Sequence, residues 1–166
     1  LFRNPLCYRW NERDNVNGGP RESRHRDSIR AGTCVDFITH KRPEIDGPWL
    51  YYVGFGEPHP KFVALQKYWD LYPLDEIEMP DLREDDLENL HLVYQGIRSF
   101  KRIATPIPEE RIRRARAGYY GLITELDEYI GQIYNALEAF GELENTIFIY
   151  TSDHGEALGG HGLWLK

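Results

Sequence analysis

From Ile112 to Leu137, apolar side chains return at every third or fourth position: Ile112, Ala115, Tyr119, Leu122, Leu126, Tyr129, Ile133 and Leu137. That spacing lays them along one face of an amphipathic helix. Glu109 and Glu110 fall in its first turn, where carboxylates complement the helix dipole, and Gly141 is placed to end it. Gly118, Gly121 and Gly131 weaken the pattern, each costing about 1 kcal/mol relative to alanine in a helix interior. Close packing of the helix against a sheet is the alternative use for them.

A shorter helix is predicted over 28–40, "SIRAGTCVDFITH", with Ile29, Cys34, Phe37 and Ile38 near one face and Asp27 or Ser28 available as a cap. Another is predicted within "LENLHLVYQGIRSF". Two runs read as strands. "WLYYVGF", Trp49 to Phe55, is aromatic and β-branched enough to be buried on both faces, and "TIFIY", Thr146 to Tyr150, follows the long helix. A strand, an intervening helix and a second strand imply a parallel crossover, hence an α/β sheet. Residues 1–27, rich in Arg, Asn, Gly and Pro, read as irregular, and the acidic stretch 75–88 reads as a surface excursion. There is no internal repeat, so 1–166 is expected to be one unit whose α/β portion lies in 28–166.

Composition removes several function classes. With 166 residues, 41% hydrophobic and 28% charged, the chain has apolar material for a single core and is neither disordered nor fibrous. A net charge of -7 argues against a general nucleic-acid binder. Arg21, Arg24, Arg26 and Arg30 cluster, but Glu22 and Asp27 sit among them, as on a solvated face. No apolar run has the length of a membrane span, and "LFRNPLCYRW" lacks the basic flank and apolar core of a signal peptide. Cys7 and Cys34 form no C-x-x-C and are too few for a disulfide scaffold.

The predicted topology also says where chemistry would gather. Parallel strands end along one edge, and ligands bind in the loops beyond it. His59, in "GEPHPKF", follows the first predicted strand, and Asp153 with His154, in "TSDHGEALGGHGLWLK", follows the second. Asp153 and His154 offer a carboxylate oxygen and an imidazole nitrogen, half of a metal site. They equally read as a helix cap and a backbone-bonded histidine. The Gly159-Gly160 pair lets the chain fold back, so that His161 and Lys166 return toward Asp153, and a lysine there would supply positive charge to an anionic substrate. The plainer readings are a structural histidine for His161 and a surface lysine for Lys166. His59 is held between Pro58 and Pro60 in extended backbone, suited to pointing into a cleft or to an ordinary surface loop.

These motifs resemble a known family. "NTIFIYTSDHGEALGGHGLWLK" is similar to the carboxyl-proximal signature of type I sulfatases in the alkaline phosphatase superfamily, where a strand leads into T-S-D-H-G, a glycine-rich loop and H-G-x-W-x-K. "AGYYGLITELDEYIGQIYNALEAFGELENT" resembles the helix before that strand, and "YYVGFGEPHPKFVALQKYWDLYP" their strand ending in a P-H-x-P-F-like turn. The resemblance covers Trp49 to Lys166 and is nearest to the iduronate-2-sulfatase and choline-sulfatase-like branches. It implies an alkaline-phosphatase-like sandwich with a mostly parallel central sheet flanked by helices. It further implies that Asp153 and His154 bind a divalent cation, calcium before magnesium, manganese or zinc. Lys166 would then contact sulfate oxygens and His59 would meet the sulfate or its leaving oxygen, while His161 matches a histidine of some members only. The implied substrate is a small-molecule or carbohydrate sulfate ester, with homo-oligomers of the full-length protein left open.

The sequence departs from that family in two respects. Its nucleophile is a formylglycine made from cysteine in C-x-P-S-R or C-x-A-x-R, and neither Cys7 ("CYRWN") nor Cys34 ("CVDFI") lies in such a motif; nor does an Asp-Asp pair follow an opening strand. The expectation is an internal portion of a longer sulfatase-like chain. A phosphonate or phosphate ester hydrolase of the same superfamily, or a non-catalytic binding protein on the same scaffold, are the alternatives.

Overall fold

The structure, a computed structural model, describes residues 12–23, 26–83 and 87–165. Among them are strands β1 (Gly18–Arg21) and β2 (Phe62–Leu65) and helices α1 (Arg26–Asp36), α2 (Gln66–Trp69), α3 (Leu92–Phe100) and α4 (Glu109–Ala139). The class is α/β, as the crossover argument required. β1 and β2 pair in parallel from Gly18 opposite Phe62 to Arg21 opposite Leu65, and α1 lies in the connection between them.

α4 is the helix that the three-and-four spacing predicts. Its C-terminus is a Schellman motif: Gly141 takes φ +68, its N–H donates to the Glu138 carbonyl at 2.9 Å, and the Glu142 N–H donates to Leu137 at 3.0 Å. Two of its glycines let it lie on the sheet. A Cβ at Gly118 would run into the Phe62 carbonyl, and one at Gly121 would stand 2.8 Å from the Ala64 methyl. Gly131 has open space around it and carries no such constraint.

Two apolar clusters flank α4. Phe62, Ala64, Ala115, Leu122, Leu158 and Trp164 form one; Ala31, Cys34, Ile38, Tyr129, Ile133 and Leu137 form the other. The second is covered by Trp49, Tyr51, Val53 and Phe55. α1 continues through a π turn (Phe37–Lys41) and a 3-10 turn (Arg42–Glu44), so the helical run over 28–40 is present. Its buried stripe is Asp27, Ala31, Cys34 and Ile38, and Ile29, expected inside, is exposed because it lies off that stripe.

Three expectations change. The segment 1–27 is not wholly irregular, since β1 and the start of α1 fall within it. Trp49 to Phe55 is a single-faced segment: Trp49, Tyr51, Val53 and Phe55 turn inward while Leu50 and Tyr52 are 93% and 87% exposed. That period of two is a strand's alternation. No ladder forms because the described residues place no neighbouring strand beside it. Thr146 to Tyr150 likewise has no ladder, with Ile147, Phe148, Ile149 and Tyr150 exposed. The parallel crossover therefore joins β1 to β2 rather than 49–55 to 146–150. Among the described residues no helix is long and apolar enough to cross a membrane.

Candidate active site

Asp153 and His154 follow the exposed segment 146–150. On a regular strand two consecutive side chains would point to opposite faces. Here the backbone bends at Asp153, and the two side chains converge, with His154 Nε2 3.3 Å from Asp153 Oδ2. The bend is fixed locally: Asp153 Oδ1 accepts the His154 N–H at 3.0 Å, and Ser152 Oγ donates to the His154 carbonyl at 2.7 Å. No helix begins at Asp153, so the capping alternative has nothing to cap.

The imidazole's polarity follows from its neighbours. His154 Nδ1 lies 2.8 Å from the Gly155 carbonyl oxygen, which can only accept, so Nδ1 carries the hydrogen. In the neutral ring that leaves Nε2 with a lone pair, facing a carboxylate oxygen that also bears lone pairs. Two acceptors 3.3 Å apart repel unless a proton or a cation lies between them. Both groups are open to solvent, Asp153 at 85% and His154 at 44%, which leaves room for further ligands. One carboxylate oxygen and one imidazole nitrogen are two of the donors that a divalent cation takes, and the described residues bring no third His, Cys, Asp or Glu beside them.

His59 sits on the turn that ends the 49–55 segment. Its N–H donates to the Gly56 carbonyl at 3.2 Å, and its Nδ1 lies 2.6 Å from the Pro60 carbonyl. The same logic puts the hydrogen on Nδ1 and leaves the lone pair on Nε2 of an exposed ring. The turn is tied down from below. Asp27, fully buried, accepts the N–H of Gly56 at 2.8 Å and of Glu57 at 2.9 Å through Oδ2. The Glu57 carboxyl beside it is pushed up to about 7, by burial first and then by Asp27, with Arg21 opposing.

His161 lies on the loop 158–165 with φ +51, its N–H 3.3 Å from the Asp81 carbonyl and its ring exposed. That loop is stapled at its base. Glu156 Oε1 accepts the N–H of Leu158 at 3.2 Å and of Leu165 at 2.7 Å. Arg98 of α3, largely buried, donates to the Gly162 carbonyl, and Arg116 of α4 donates to the Leu158 carbonyl at 3.0 Å. Trp164 is buried beneath, while Lys166 and Cys7 lie outside the described residues.

The structure thus joins Asp153 to His154. No hydrogen bond or ion pair among the described residues links His59 to either, and no group of three His, Cys, Asp or Glu there could hold a metal ion. Sequence reasoning missed the supporting groups Asp27, Glu156 and Arg98. One signal was available for Asp27: it occupies the i, i+4 position of the stripe formed with Ala31, Cys34 and Ile38, where an acid must be partnered.

Comparison with known proteins completes the description. The sulfatase family matches residues 3–166. The chain is 36% identical over 128 residues to a choline-sulfatase of Rhizobium meliloti, covering 72% of this chain and 23% of that protein. It is 30% identical over 164 residues to an arylsulfatase of Clostridium perfringens, covering 96% of this chain and 32% of that one. Among solved structures, a phosphonate monoester hydrolase from Silicibacter pomeroyi superposes with TM-score 0.71 at 25% identity, over 87% of this chain and 33% of that chain. The chain thus spans between 23% and 33% of these relatives' length. With the alkaline-phosphatase-like α/β fold, the convergent Asp153–His154 doublet and a family match over nearly every residue, the chain belongs to the sulfatase family.

Proposed function

We propose that the full-length protein is a metal-dependent sulfuric ester hydrolase, to which this chain contributes Asp153, His154, His59 and Lys166. The observation that carries the reading is the doublet: Asp153 Oδ2 and His154 Nε2 converge to 3.3 Å with the imidazole hydrogen held away on Nδ1. A divalent cation held there would act as a Lewis acid toward sulfate oxygens. The oxygen donor suits calcium or magnesium and the nitrogen donor also admits manganese or zinc; the family resemblance favours calcium.

The other roles belong to this chain's own groups. The Lys166 ammonium pairs with sulfate oxygens, where fixed charge is strongest once water is excluded. His59 meets the sulfate or its leaving oxygen through the ring edge at Nε2, and an acid assists departure of the alcohol. Cys34 supplies no nucleophile: it is buried, and burial pushes its thiol up to about 11, away from the reactive thiolate. The nucleophile of this reading is a formylglycine from sequence outside these 166 residues. When present, it would supply the oxygen that attacks sulfur as the ester's S–O bond breaks. The substrate class is a small-molecule or carbohydrate sulfate ester.

Rates of the full-length protein on a chromogenic aryl sulfate and on the matching phosphate and phosphonate test the reaction class. Faster sulfate cleavage, lost in Asp153→Ala, is expected; equal or reversed rates overturn it. The likeness to a phosphonate monoester hydrolase gives the reversed order a concrete meaning, a phosphonate ester hydrolase on the same site.

A further inference from the structure

Asp27 is an expensive residue to keep where it is. Its side chain is fully buried, and a buried carboxylate without partners costs several kcal/mol. Its oxygens are occupied by a specific set: Oδ2 takes the N–H groups of Gly56 and Glu57, and Oδ1 takes Arg30 Nη1 at 2.5 Å. The two amides belong to the first half of the turn whose Gly56 carbonyl accepts the His59 N–H. Beyond His59 the chain enters β2, locked by its ladder with β1. The turn is therefore clamped at both ends, by Asp27 before His59 and by the sheet after it.

We propose that Asp27 is a positioning residue for His59, acting through the Gly56 and Glu57 amides to fix the turn on which that imidazole stands. The inference rests on the reading that His59 meets the substrate. Both amides lead the turn and both meet this one carboxylate oxygen, so removing the carboxylate loosens the turn's leading edge while β2 stays paired. Misplacing a reacting group by about 1 Å can cost on the order of a hundredfold in rate.

The test uses the full-length protein and an aryl sulfate, with Asp27→Ala, Asp27→Asn, His59→Ala and the double variant Asp27→Ala/His59→Ala. Asp27→Asn keeps one oxygen acceptor for the two amides, so it should hold kcat within about twofold of wild type, and a larger loss there overturns the route through the amides even if the alanine variant does not fold. The expected result for Asp27→Ala is a kcat lowered about tenfold with KM within about twofold, and no further loss when it is added to His59→Ala. Multiplicative loss in the double variant, or a lowered melting temperature with kcat unchanged, overturns the positioning role while leaving His59 in place. Full activity of His59→Ala instead removes the reading beneath it.

Discussion

Arg21 Nη2 lies 2.8 Å from both carboxylate oxygens of Glu125, so a residue of β1 and a residue of α4 form an ion pair inside the protein. Glu125 is fully buried, Tyr129 donates to it at 2.6 Å, and burial with that hydrogen bond raises the Tyr129 hydroxyl's pKa. Breaking a buried pair by removing one partner typically costs about 3–5 kcal/mol, because the other charge is left uncompensated. Arg21→Met should lower stability by that order. Arg21→Met/Glu125→Met should recover most of it, as apolar replacement of both partners often does. Urea unfolding of the four proteins in the cycle checks this, and single losses that add up in the double variant would show that the two groups are not coupled.

Glu57 gives a pH signature of known sign. Its folded pKa, about 7, exceeds the ordinary 4.5, so the folded protein holds this proton more tightly. The stability it contributes is complete below 4.5 and is lost as pH rises through about 7. Its partial exposure lets solvent screen the effect, leaving on the order of 1 kcal/mol. Thermal melts of wild type and Glu57→Gln at pH 5 and pH 8 should show the variant gaining relative stability at the higher pH. A constant difference between them would mean that the carboxyl titrates as in the unfolded chain.

The glycines of α4 should separate into two kinds. Gly131 stands in a helix interior with nothing near an added Cβ, so Gly131→Ala should stabilise by about 1 kcal/mol. At Gly118 the same methyl meets the Phe62 backbone carbonyl, which cannot yield without disturbing the β1–β2 ladder. Gly118→Ala should therefore destabilise, by about 1–3 kcal/mol or more. Melting temperatures of opposite sign for one chemical change are the expected result, and equal shifts would place α4 further from the sheet.

These cases show what the sequence could and could not disclose. The three-and-four spacing gave away α4, and its two sheet-facing glycines were legible as an alternative to helix weakness. Period-two alternation in 49–55 was also present, but its aromatic content read as two-sided burial. Exposure of Leu50 and Tyr52 depends on which strands lie alongside, and no local pattern encodes that. β1 escaped notice because "GGPR" has no strand composition. Gly18 is instead selected by contact, since a Cβ there would meet the Arg114 carbonyl. In the site, the chemistry-bearing Asp153 and His154 could be named from residue type. Their convergence, and the supports from Asp27, Glu156 and Arg98, come from bonds between segments distant in sequence.

Glu156 provides the sharpest test of the loop that leads into Lys166. One oxygen, Oε1, accepts the amides of Leu158 and Leu165, the two ends of the loop, and both residues are buried. A glutamine keeps a carbonyl oxygen at that place, whereas an alanine leaves two buried N–H groups unmet, at about 1–3 kcal/mol each. Glu156→Gln should therefore behave like wild type. Glu156→Ala should open the loop, and limited proteolysis should cut faster within Gly159–Gly162. Arg98 and Arg116 hold the same loop through the Gly162 and Leu158 carbonyls, so the opening will be local and the rest of the chain should resist as before. Identical cleavage of the alanine and glutamine variants would mean that those arginines, and the packing of Trp164, hold the loop without the carboxylate.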